Sequence, residues 1–231
     1  MAGPSRFRAC SQAESVTCAL HPCTRTWAKS VNPECIDLGR RATLDVVGDR
    51  QEGLFTVCRG VLQVSFTAPS GREPISSLHY RGHLLEPYAR NGGGTNVTVR
   101  ALTASTLCRL DWRNPFQAPE GMLEVMRERH DQLAQQFFAG EAWRAHLLSL
   151  APIGRLAWLL LTLARRAEHR TRVPDEIVLH MRRSDLADCL GVTTETLCRL
   201  LARLEAQDAV LRTARGRLRI LDHAALQRMA A

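Results

Sequence analysis

No run of eighteen apolar residues occurs in the 231-residue chain, so no transmembrane helix is expected. The opening MAGPSRFRAC has no apolar core of the kind an export signal needs, so a cytoplasmic protein is expected, with no membrane partner. Lysine is nearly missing: Lys29 is the only one, and arginine carries the rest of the positive charge. No Cys-x-x-Cys pair is present, which weakens a zinc ribbon or finger. No nucleophile–base motif stands out, and Gly92-Gly93-Gly94 has neither the lysine nor the following helix of a phosphate loop. The expectation is therefore that the chain is not an enzyme.

Hydrophobic residues make up 45% and charged residues 23%, the balance of a soluble globular protein. The net charge of +8 favours a polyanionic partner. Residues 151–231 hold 14 arginines against 9 acids, so the basic excess lies mainly in the C-terminal third. Eight cysteines without an export signal argue for a reducing compartment, where thiols serve metal binding or redox sensing more often than structural disulfides.

The most informative stretch is RRSDLADCLGVTTETLCRLLARLEAQ, residues 182–207. Ser184 to Leu190 reads as a short helix with Leu186, Ala187 and Leu190 on its apolar side, and Gly191 as its stop. Thr193 is a good N-cap for a second helix from Thr194 to Gln207. Leu197, Leu200, Leu201 and Leu204 fall on one face of it. Thr194, Glu195, Cys198 and Arg199 are left on the other. That is the grammar of a helix-turn-helix, whose second helix enters a major groove; the plain alternative is a helical hairpin with a solvated polar face. Residues 209–221, AVLRTARGRLRIL, read as a hairpin turning at Arg215-Gly216, the place of a wing. Arg212, Arg215 and Arg217 there, with Thr194, Arg183 and Arg203 nearby, are the candidate contacts to DNA phosphates.

Upstream, residues 1–35 carry Cys10, Cys18, Cys23 and Cys35 among prolines and polar filler, a loop with at most a short helix. Gathered thiolates there suit iron–sulfur or zinc; the bland reading is a loose tail of thiols. Residues 36–111 contain short apolar stretches, LFTVC, VLQVSF, ISSLHY, VTVRAL and TLCRLD, separated by turn signals, as in an antiparallel sandwich or roll. Within these, Cys58 and Cys108 read by default as small core residues. Residues 120–149 read as a long helix with an imperfect stripe of Leu123, Met126, His130, Leu133, Phe137, Gly140, Arg144 and Leu147. Such a stripe suits a dimer seam, or packing on the chain's own β-domain, and Gly140 suggests close helix approach. Pro152 ends that helix, and residues 153–169 give an amphipathic core helix.

Order and motifs together resemble the Crp/Fnr family of bacterial transcription regulators. The resemblance covers nearly all the chain from about residue 36 and is most specific in SDLADCLGVTTETLCRLLARLE. The family's recognition helix carries E-x-x-S-R, and this chain has Glu195-Thr196-Leu197-Cys198-Arg199. The resemblance implies an α+β fold: a cysteine-rich segment over 1–35, a β-roll of the cyclic-nucleotide-binding, jelly-roll type over 36–118, a dimerisation helix over 119–150, and a winged helix-turn-helix over 151–231. Cyclic-nucleotide binders of the family have Gly-Glu and a later Arg-Ser or Arg-Thr; here Gly82-His83 and Thr95-Asn96 stand there, so no cyclic nucleotide is expected. The oxygen-sensing branch implies a [4Fe–4S] cluster held by Cys10, Cys18, Cys23 and Cys108, with Cys35 or His21 as an alternative ligand. It also implies a homodimer on a palindrome of TTGAT-like half-sites in double-stranded DNA, with Arg199 on guanine, Glu195 on a cytosine amino group and Cys198 in the serine's place, and RNA polymerase as a further partner. Rival readings keep the DNA-binding half but replace the cluster by zinc, thiol oxidation, no effector, or haem on His79 or His83. A more distant one is a cupin-type iron site on His79, His83 and Glu86.

Overall fold

The computed structural model describes residues 7–9, 34–44, 54–67, 73–85, 97–110, 122–166 and 169–231. Alternation organises the N-terminal part. In ECIDL, Ile36 and Leu38 are buried while Asp37 is exposed; in LFTVCR, Phe55 and Val57 take the inner places. Among the described residues nine strands lie in this part: β1 (Phe7–Ala9), β2 (Glu34–Leu38), β3 (Thr43–Leu44), β4 (Leu54–Arg59), β5 (Leu62–Phe66), β6 (Ile75–His79), β7 (Leu84–Leu85), β8 (Val97–Ala101) and β9 (Ser105–Leu110). They form two antiparallel sheets, ordered β1-β2-β9-β4-β7 and β3-β8-β5-β6. Between them lies a core of Ile36, Leu38, Leu44, Phe55, Val57, Leu62, Val64, Leu85, Val99, Ala101 and Leu107. This is the β-roll expected. Two differences matter. Phe7–Ala9 is a strand within the segment read as loop, because it finds a partner in Ile36–Glu34. And β2 begins at Glu34, so Cys35 is a strand residue.

The chain divides into two units, Met1–Ala139 and Gly140–Ala231. The helix α1 (Met122–Ser149) runs through the division. In the first unit, the Gln136 side chain donates to the Leu84 carbonyl (2.9 Å) and accepts from the Leu84 amide (2.8 Å), closing the edge at β7.

In the second unit, α2 (Pro152–Ala164) is the core helix, with Leu156, Ala157, Leu159, Leu160 and Leu163 fully buried. Pro152 opens this helix rather than closing the one before, since its fixed φ and missing N–H suit a first turn. The helix stops at Ala164, short of residue 169, where the leucine run gives way to Arg165 and Arg166. Trp158 receives Trp143 edge-on at 5.2 Å and His146 stacked at 4.5 Å. Then follow β10 (Glu176–Val178), α3 (Arg183–Leu190), α4 (Thr194–Ala206), β11 (Val210–Ala214), β12 (Arg217–Ile220) and α5 (His223–Met229), with a sheet ordered β10-β12-β11. At Gly154 an added Cβ would lie 2.5 Å from the Met229 carbonyl oxygen, so only glycine lets α2 and α5 meet here. No helix among the described residues is long and apolar enough to cross a membrane.

Candidate nucleic-acid interface and thiol row

The turn between α3 and α4 is built as the sequence suggests. Gly191 sits at φ 64°, ψ 36°, and its N–H reaches the Ala187 and Asp188 carbonyls. A left-handed residue here costs glycine nothing. The Thr193 hydroxyl caps α4 by accepting from the Thr196 amide at 3.1 Å. Arg155 Nη1 donates to the Leu190 carbonyl at 3.1 Å, satisfying an orphan acceptor at the end of α3.

Leu197, Leu201 and Leu204 bury one side of α4; Leu200 is half-buried. Thr194, Glu195 and Arg199 are exposed on the other side and Cys198 is half-buried among them. The Arg199 guanidinium donates to the Thr196 hydroxyl at 3.3 Å. Arg183, from the first turn of α3, donates to Cys198 Sγ at 3.3 Å, so it lies against the recognition helix.

The basic residues divide into two groups. Arg203 and Arg215 are exposed. Arg212 and Arg217 are engaged within the protein by two acids that the sequence reading did not single out. The Glu205 carboxylate accepts from the Arg212 amide (3.0 Å) and Nε (2.7 Å), and also pairs with Arg212 Nη2. Those hydrogen bonds from Arg212 hold the Glu205 carboxyl below its ordinary range, with the Arg212 and Arg183 charges adding to the effect. Glu176, buried on β10, accepts from the Thr213 (2.5 Å) and Thr171 (2.9 Å) hydroxyls and lies 3.5 Å from Arg217. The Thr213 hydrogen bond, then that of Thr171, holds its carboxyl low. Neither pairing has a local spacing that a sequence would display.

On the β-roll, Cys108 lies in β9 and is fully buried. It points away from the sandwich core, since its neighbour Leu107 points into it. Its register partner on β2 is Cys35, 4% exposed, and on β4 it is Thr56, 2% exposed. Residues directly opposite on an antiparallel pair share a face, with Cβ atoms about 4.5–5.5 Å apart. Cys35, Cys108 and Thr56 thus form one buried row. The Thr56 hydroxyl has no hydrogen-bond partner among the described residues. Two soft sulfurs beside a hydroxyl in want of an acceptor fit a thiophilic metal centre, which takes thiolates as ligands and hydrogen bonds to them. Cys10, Cys18 and Cys23, with His21, lie outside the described residues.

Elsewhere, His79 and His83 stand edge to face, 5.7 Å between ring centroids. Burial, then the nearby His83, lowers the His79 pKa to about 3, with the Leu84 backbone pulling the other way. Glu86, Thr95 and Asn96 lie outside the described residues. Along α1, Phe137 and Phe138 are 58% and 68% exposed, and Leu133 and Leu147 are half-buried. Among the described residues no atom lies within 4 Å of a Cβ built on Gly140. The side chains of Leu123 and Met126 lie outside the described residues.

Residues 154–229 match the Crp-like helix-turn-helix domain. The fumarate and nitrate reduction regulatory protein of Vibrio cholerae is 28% identical over 188 residues, 79% of this chain and 73% of that protein. Among solved structures, a transcriptional regulator of the CRP family from Thermus thermophilus superposes with a TM-score of 0.70 at 23% identity over 84% of this chain and 95% of its own. FixK2 from Bradyrhizobium japonicum does so with a TM-score of 0.71 at 20% identity, over 85% and 96%.

Proposed function

Because this chain belongs to the Crp/Fnr family of DNA-binding transcription regulators, we propose that it acts as a cytoplasmic homodimer answering to oxygen or nitric oxide through an iron–sulfur cluster. The observation that carries the DNA reading is the face of α4: Thr194, Glu195, Cys198 and Arg199 stand opposite the buried Leu197, Leu201 and Leu204. Two such helices, one from each protomer, enter successive major grooves of a palindrome. Arg199 donates to O6 and N7 of a guanine and Glu195 accepts from a cytosine amino group, giving the G:C centre of a TTGAT-like half-site. Cys198, a weaker hydrogen-bonding group than serine, reads the neighbouring base. Thr194, Arg183, Arg203 and Arg215 meet phosphates and fix the register, and Arg212 and Arg217 join them only where Glu205 and Glu176 release them.

In this reading Cys10, Cys18, Cys23 and Cys108 are the sulfur ligands. When bound, a [4Fe–4S] cluster supplies a centre that oxygen and nitric oxide degrade. Strand β9 holds Cys108 in a buried position, and the exposed Phe137 and Phe138 on α1 give the second protomer an apolar surface. No cyclic nucleotide is needed, and RNA polymerase is the partner on the promoter.

Two measurements test this. Arg199→Ala is expected to cost about 1–3 kcal/mol of discrimination at the central G:C pair, roughly fivefold to 150-fold in relative affinity. Retention of the full sequence preference removes Arg199 from base reading. Anaerobic assembly with iron and sulfide is expected to give a visible chromophore that bleaches in air with loss of DNA binding. A colourless protein that still binds the palindrome removes the cluster and leaves the DNA reading.

A further inference from the structure

The row Cys35–Cys108–Thr56 has a use that the proposed ligand set leaves out. Cys35 follows no close cysteine in sequence, and only the pairing of β2 with β9 brings it opposite Cys108. Both thiols are buried on the sheet face away from the sandwich core, so they do not fill that core. Beside them, the Thr56 hydroxyl is buried without an acceptor among the described residues. A buried hydroxyl left without an acceptor is destabilising, and a thiolate next to it supplies the missing acceptor.

We propose that Cys35 and Cys108 together form a two-sulfur site for a thiophilic divalent metal, with Thr56 donating a hydrogen bond to a bound thiolate. Metal–sulfur bonds of about 2.3 Å in tetrahedral geometry place two sulfurs about 3.8 Å apart. Opposed Cβ atoms about 4.5–5.5 Å apart can present their sulfurs at that separation. Binding M²⁺ displaces one proton from each thiol to solvent and forms two metal–sulfur bonds, with no change of oxidation state. No third His, Cys, Asp or Glu joins the pair among the described residues, so the remaining positions on the metal take water. The site shares Cys108 with the cluster reading but adds Cys35, and it holds equally for zinc or for iron.

The test uses the full chain, metal-free and reduced, titrated anaerobically with cobalt(II). Thiolate-to-cobalt charge-transfer absorption scales with the number of cobalt–sulfur bonds. Cys35→Ser and Cys108→Ser are each expected to lose a comparable share of that band and to weaken binding at least tenfold. Thr56→Val keeps the band and weakens binding about 10–100-fold. Cys58→Ser is the control: Cys58 is two residues along the same strand, half-buried, with its Sγ 3.8 Å from the Thr56 carbonyl. It is expected to leave both band and affinity unchanged. Cys35→Ala, checked by the melting of the metal-free protein, guards against misfolding of the serine variant. A full wild-type band in Cys35→Ser or Cys35→Ala overturns the proposal, as does a wild-type chain that gives no band. Iron and sulfide assembly on the same proteins separates the two readings. Cobalt binding through Cys35 without cluster assembly overturns the cluster and leaves this site. A cluster that assembles while Cys35→Ser keeps the full cobalt band does the reverse.

Discussion

Replacing Glu205 by glutamine is expected to tighten DNA binding while loosening the protein. Glu205 spends its charge on Arg212, accepting from its amide and its guanidinium. Glutamine keeps an acceptor for the amide but loses the charge, so about half the strength of the charge-assisted bonds goes. The two side chains are 43% and 22% exposed for Arg212 and Glu205, and solvent screening brings the loss to about 1 kcal/mol. For a unit of this size that lowers the melting temperature by about 4–8 °C. Arg212 is then at liberty to meet a phosphate. One further neutralised phosphate steepens the slope of log K against log salt by about 0.9. Over a fourfold rise in salt the variant should therefore lose about threefold more affinity than the wild type, starting from tighter binding at the low end. Fluorescence anisotropy on one duplex across a potassium chloride series reads this, with calorimetry for stability. The double variant Glu205→Gln/Arg212→Ala must return to the slope of Arg212→Ala alone. An unchanged or shallower slope in Glu205→Gln refutes the view that Glu205 withholds Arg212 from DNA.

Three further outcomes are expected. Gly154→Ala forces a methyl against the Met229 carbonyl and should cost about 1–3 kcal/mol, seen as earlier melting of the C-terminal unit; wild-type melting would show that α5 gives way freely. His79 is neutral in the fold, with a pKa of about 3, and an unfolded histidine titrates near 6.5. Its contribution to stability is therefore complete above pH 6.5 and is lost as pH falls towards 3, so urea unfolding between pH 7 and 4 should show weakening with acid that His79→Gln reduces. Phe137→Ser/Phe138→Ser should raise the dimer dissociation constant at least tenfold in sedimentation experiments, since burying one phenylalanine is worth about 1.5–3 kcal/mol; an unchanged constant moves the seam elsewhere.

The recognition unit was legible because its physics is local. A glycine that needs φ > 0, a threonine that caps, and leucines three and four apart all act within one or two helical turns. The longer strands were legible for the same reason, since alternation shows over five or six residues. Strands of two or three residues, such as Thr43–Leu44, Leu84–Leu85 and Glu176–Val178, are too short to display a period and exist through their partners. Pro152 is ambiguous in sequence, because proline both follows helix ends and opens helices, and only the burial of the leucines after it shows that it opens α2. The pairing of Cys35 with Cys108 and of Glu176 with Arg217 depends on strand register across long stretches of chain. No spacing rule carries that information.

The Glu176 arrangement bears on how such a protein searches a chromosome. A genome offers about 10⁶–10⁹ decoy sites, and attraction to them depends almost wholly on phosphate contacts. Arg217 is pinned to a carboxylate that Thr171 and Thr213 hold ionised, so part of the wing's positive charge is balanced before DNA arrives. On the proposed DNA reading, that balance would lower the hold of every decoy, while the base-edge contacts proposed for α4 are untouched. On that reading the wing's internal acids would shorten each unproductive stop and raise the fraction of molecules found at the operator.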